Sequence, residues 1–143
     1  MISPNLLQTA IVARLQANAV LVAALPDGAN GVKEAEWQGT AFTYPAVRVD
    51  RPRLEPQPNG GHCIDQVSNA TIDVAVISKR ESSRPASVIV GMVEDALAGF
   101  TIVTADLRST ALHPLLVSPV EPSPQYENVW QGRVTLGTVV TAL

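Results

Sequence analysis

The closing stretch VWQGRVTLGTVV alternates so that Trp130, Gly132, Val134, Leu136, Thr138 and Val140 fall on one side of an extended chain. A strand of this length needs partner strands beside it and a layer over its apolar side, which restricts the chain to folds built on a sheet covered on one face. SNATIDVAVISK repeats the pattern, with Ile72, Val74 and Val76 sharing a face and Asp73 opposite. In TYPAVRVD, Thr43 to Asp50, Val47 and Val49 oppose Arg48 and Asp50. Val32 to Trp37 alternates weakly, with Lys33 set against Val32, and reads as a short edge strand. After Phe100, TIVTA is a further strand candidate, His113-Pro114 falls in an irregular segment, and LLVSPV is strand-like but broken by Pro119.

Two stretches carry helical spacing. Ser3 followed by Pro4 is a helix start, because a serine hydroxyl can cap free amides and proline at the first helical position loses no hydrogen bond. Leu7, Ile11 and Leu15 then form one stripe, and Asn18 caps a second short helix with Val20, Val22 and Leu25 before the turn Pro26-Asp27-Gly28. Residues 4 to 25 are thus a helix with a break. Ser83 and Pro85 open the next helix, whose face of Ala86, Ile89, Val93 and Leu97 runs until Gly99 stops it.

Helix, strands, helix, strands, without an internal repeat, predicts a single α+β domain over residues 1–143. It has an antiparallel or mixed β-sheet of about four to five strands, two main helices packed on one face and a long β-hairpin loop. With 46% hydrophobic and 16% charged residues the chain buries a core, and sparse charge leaves apolar surface for other chains. A formal charge of -3 without a basic block speaks against sequence-specific nucleic-acid binding. One cysteine, Cys63, excludes an intramolecular disulfide. The N-terminal run has no basic leader and is interrupted by Arg14 and Asn18, so neither a targeting segment nor a membrane span is expected.

QPNGGHC, Gln57 to Cys63, is where chemistry would first be sought. Asn59, Gly60 and Gly61 tolerate positive φ, however, and read as the tip of a hairpin spanning about Asp50 to Ser68. Neighbours in an extended chain point to opposite faces, which separates His62 from Cys63 as a base and nucleophile pair. No ligand spacing suggests a metal, and the other histidine, His113, precedes a proline in a loop. Glu34 and Glu36 would share a strand face, as charged edges commonly do. The densest mixed-charge run is Arg48, Asp50, Arg51, Arg53 and Glu55, read either as a solvated face or as a contact surface that sets register through complementary charges. With Asn59, Gly60, Gly61 and His62 it forms the candidate interface. Trp37 and Trp130 fit sheet packing or an interface anchor. No dinucleotide, phosphate-loop, hydrolase or zinc-protease motif occurs, so the reading is of a protein without catalytic residues, cofactor or metal.

Taken in order, the helix NLLQTAIVARLQANAVLVAAL, YPAVRVDR, the strand ATIDVAVISK, the helix ASVIVGMVEDALAG and the strand QGRVTLGTVV resemble the tail-terminator or tail-completion proteins of tailed bacteriophages. The resemblance covers almost the whole chain. It rests on the order of elements, a tyrosine-proline pair opening one strand and Ser78-Lys79 closing another. It implies a homo-oligomeric ring, usually of six subunits, that caps the head-proximal end of the tail tube, ends tube polymerisation and joins tail to head. The implied partners are the tail tube protein and a head-tail connector or stopper protein, with phage DNA passing through the ring and no membrane. The implied location is the virion neck, after assembly in the host cytoplasm. Val32 to Trp37 or the C-terminal strand would offer the edge for the next subunit. The competing readings are another connector or stopper of the neck, a cytoplasmic ferredoxin-like module that binds a small metabolite, and, last, a small hydrolase using His62 or His113.

Overall fold

The computed structural model describes residues 2–39, 43–56, 67–79, 84–123 and 128–142. Helix α1, Pro4–Gln16, begins with proline in its first turn and buries Leu7, Ile11 and Leu15. Ser3 stands at the N-cap but its side chain makes no capping hydrogen bond, so proline rather than the hydroxyl marks this start. The expected break falls where anticipated: Asn18 accepts a hydrogen bond from the Leu21 amide at 3.0 Å and opens α2, Ala19–Ala24. Helix α3, Arg84–Leu97, buries Ala86, Ile89, Val90, Val93, Ala96 and Leu97. It stops at Gly99, whose φ of +80° is left-handed and suits glycine. The expected cap Ser83 lies outside the described residues.

The strands are β1 (Val32–Glu34), β2 (Ala46–Val49), β3 (Arg53–Pro56), β4 (Val67–Ser78), β5 (Leu107–Ser109), β6 (His113–Pro122) and β7 (Trp130–Ala142). They form one mixed sheet in the order β1-β2-β4-β7-β5, with β3 also on β4 and β6 also on β7. Among the described residues only β1 and β2 pair in parallel; the other pairs are antiparallel. The centre is the long pairing of β4 with β7, from Val67 against Thr141 to Ser78 against Trp130. β2 and β3 pair with β4 in succession, Val47 opposite Val76 and Arg53 opposite Thr71. Arg53–Pro56 thus pairs antiparallel with Ser68–Thr71, as the outgoing and returning arms of the expected hairpin would. Its expected tip, Asn59, Gly60, Gly61 and His62, lies outside the described residues, as does Cys63.

Side-chain alternation divides the sheet into two faces. Val47, Val49, Ile72, Val74, Val76, Val134, Leu136 and Val140 turn to one side, where they pack with Leu7, Ile11, Leu15, Leu21, Ile89 and Val93 in one cluster. The three helices thus cover one face; the other is open except at one end, where Ala46, Ile77 and Val129 are buried in a small second cluster with Tyr44 against it.

Four expectations need correction. The strand from Val32 ends at Glu34, where the Trp37 amide donates to the Glu34 carbonyl at 3.1 Å and turns the chain; Glu34 and Glu36 consequently share no strand face. TIVTA contributes only a single bridge from Val103 to Arg108, and the strand here is β5 instead. His113 and Pro114 open β6 rather than lying in a loop. The C-terminal strand is no edge, since β4 holds one side of it and β5 and β6 the other. Around the prolines of β6 the register shifts twice, between Pro114 and Leu116 and between Ser118 and Glu121.

Candidate functional site

The open face is built from residues alternating with the core. Register aligns Arg48, Ala75 and Arg133 across β2, β4 and β7, and sets Asp73 opposite Thr135 one pair along. Asp50 continues the line of β2, its amide donating to the Asp73 carbonyl at 2.9 Å. Four charged side chains then meet in alternating sign. Arg133 Nη1 donates to Asp50 Oδ2 at 2.7 Å and stands 3.9 Å from Asp73 Oδ2, which Arg53 approaches from β3 at 3.8 Å. Thr135 Oγ1 donates to Asp73 Oδ1 at 2.5 Å. Asp73 is the best shielded, at 21% exposure, while Arg53 at 73% is nearly free in solvent. Such pairs contribute well under about 1 kcal/mol each where water reaches them, and their larger effect is to fix which charge stands where.

A turn after β1 folds over one end of this row. Lys33 Nζ and Arg48 Cζ lie 5.5 and 5.2 Å from the centre of the Trp37 ring, within cation-π range. Arg48 Nη1 also donates to the carbonyls of Gly31 and Val47, at 3.0 and 2.8 Å, which holds the guanidinium under the ring. Between the turn and the sheet is a cleft of about 430 Å³ bordered by Trp37, Arg48, Asp50, Gln131 and Arg133. Glu36 ties the turn to α1: it accepts from Gln8 Nε2 at 2.8 Å, and the same Gln8 amide donates to the Val49 carbonyl at 2.9 Å. Arg51 stands 3.7 Å from Glu36 on the outer side.

Gly39 seals the arrangement, because a Cβ built on it would sit 2.0 Å from Trp37 Cζ2. Gly39→Ala is therefore expected to displace the indole, changing its fluorescence while lowering stability by about 1 kcal/mol or less, since the turn can shift outward. Unchanged tryptophan emission and near-ultraviolet circular dichroism would show that Trp37 is not held there.

Of the residues singled out in sequence, Arg48, Asp50 and Arg53 come together on this face. Arg51 turns to Glu36, and Glu55 lies exposed on β3 opposite Asn69. Asn59, Gly60, Gly61 and His62 are outside the described residues. Sequence reasoning missed Asp73 and Arg133 as members, although both are the charged positions of otherwise apolar alternations. Among the described residues no three His, Cys, Asp or Glu side chains are grouped to hold a metal ion, and no helix is long and apolar enough to cross a membrane.

No family model matches the sequence, and no curated protein matches it. Among solved structures, the chain superposes with a TM-score of 0.77 on a chain from a structure described as the virion of a native gene transfer agent particle. The two are 19% identical, and the superposition covers 94% of each. At that identity the likeness is one of fold.

Proposed function

We propose that this chain is a structural protein of the virion of a tailed phage or phage-like particle and, within that class, a tail terminator. Residues 1–143 form one such domain in this reading. The chain assembles into a ring, of six copies by the resemblance, that caps the head-proximal end of the tail tube and meets a connector or stopper protein on its other side. The observation that carries the reading is the fold shared with a chain of the gene transfer agent virion, over 94% of both chains. The open face adds a physical reason: its charges are placed by register and by one another, as suits a surface that selects a partner's orientation. The work is done by interfaces, not by chemistry.

Particles purified on a gradient from a lysate expressing the chain are expected to contain it by blot, with immunogold label at the head-tail junction. Loss of the chain is expected to yield tails of irregular excess length. Label at the junction with tails of normal length after its loss would point instead to a connector or stopper. Absence from the particles would remove the virion reading altogether.

A further inference from the structure

Two apolar features lie outside the charged row and the core. One is a ridge on β6, where Leu115 and Leu116 remain 55% and 60% exposed, Leu116 opposite Thr135 on the open face, while Val117 stands opposite Val134 and turns to the other side. Leu115 and His113 lean over Gly137, whose missing side chain leaves them room: a Cβ there would sit 3.0 Å from Leu115 Cδ1 and 3.1 Å from His113 Nε2. The other is a groove of about 530 Å³ bordered by Pro26, Pro45, Pro85, Val88 and Ile89. Its size falls within the roughly 300–1,000 Å³ of pockets that enclose small apolar groups. Val88 on its rim is 50% exposed.

Ridge and groove cannot meet within one chain. Pro45 leads into β2, outside β4, whereas the ridge belongs to β6, outside β7. Leu115 and Leu116 stand on the open face, over Gly137 and opposite Thr135, whereas Val88 and Ile89 belong to α3 on the covered face. Their chemistry nevertheless matches: branched aliphatic side chains face a proline-rich apolar hollow, Glu121 lies toward the end of the ridge strand, and Arg84 borders the hollow. Addition of a partner strand to the β6 edge is disfavoured, because Pro114, Pro119 and Pro122 lack amide donors and the register shifts twice. Contact through side chains is left.

We infer that the β6 ridge of one copy docks into the Pro26–Pro45–Val88 groove of the next copy, in a head-to-tail contact. The occupant is a second copy because a surface complementary in apolarity and charge sign is present on the same chain. A contact between two different patches repeats from copy to copy and closes a ring when the rotation permits. The inference rests on the ring proposed above and names the surfaces that would form it.

The test is thiol trapping in purified full-length protein carrying Cys63→Ser. A chain with both Leu116→Cys and Val88→Cys is expected, under mild oxidation, to give a ladder of disulfide-linked oligomers. It should form about tenfold or more faster than with a control pair, Leu116→Cys and Ala98→Cys, because docking raises the effective thiol concentration. Adding Leu115→Asp should return the rate to that of the control. A ladder no faster than the control, or dimers alone, would overturn the inference. Its failure is distinguishable from that of the virion reading. A chain found in particles whose thiols do not ladder keeps the reading and loses the interface; a chain that ladders but is absent from particles does the reverse.

Discussion

Ile72→Ala is expected to lower the free energy of unfolding by about 2–5 kcal/mol, seen as a fall in the denaturant midpoint with the slope unchanged. Ile72 is fully buried in the middle of β4, opposite Leu136 of β7, in the cluster that joins the sheet to the helices. Truncation there removes apolar area and leaves a cavity that two paired strands and a helical layer cannot easily collapse. Against a typical domain stability of about 5–15 kcal/mol, that is a large share. Leu116→Ala, on the exposed ridge, should change stability by no more than about 0.5 kcal/mol in the free protein. Equal costs at the two positions would contradict the division of the sheet into a packed face and an open one.

That division was legible because it is written with a period of two. In the middle of β4 and β7 alternate residues are apolar, and that period places Ile72, Val74, Val76, Val134, Leu136 and Val140 in one buried cluster. The helices were legible from their stripes and from local stops such as Asn18 and Gly99. What escaped was set by distant partners. The parallel pairing of β1 with β2 has no local signal, and it ends at Glu34 because the chain turns there to bring Trp37 over Arg48. β5 is a strand only because β7 lies beside it, while the more β-prone TIVTA supplies just one bridge.

The candidate site was half legible for the same reason. A run of charges from Arg48 to Glu55 can be seen in sequence, but its meaning depends on which charges stand opposite. Asp73 and Arg133 answer that, and they lie in strands whose register only the fold establishes. A polar residue interrupting an apolar alternation is the signal that would have found them. Read across β2, β4 and β7 together, those interruptions trace the row from Asp50 through Arg133 to Asp73.

Reversing the charge in that row should have the other large effect. Arg133→Asp places a third carboxylate between Asp50 and Asp73, replacing contacts now at 2.7 and 3.9 Å by repulsions. The three side chains are 34%, 36% and 21% exposed, so water screens part of this, and a loss of roughly 1–3 kcal/mol at low salt is expected. Arg133→Met, which keeps the bulk but not the charge, should cost less. Salt should narrow the difference between the two variants by screening the repulsion. Adding Asp50→Arg restores a pair of opposite sign and should recover part of the stability, with the coupling read from a double-mutant cycle. Equal, salt-independent losses for Arg133→Asp and Arg133→Met would mean that the row holds nothing in place. The exchanged pair also separates folding from partner selection, because its internal complementarity is kept while its outward pattern is inverted. If the open face orients a partner in the virion, the protein with Asp50→Arg and Arg133→Asp should fold yet be missing from particles. If it enters them at the normal level, the face serves the fold alone.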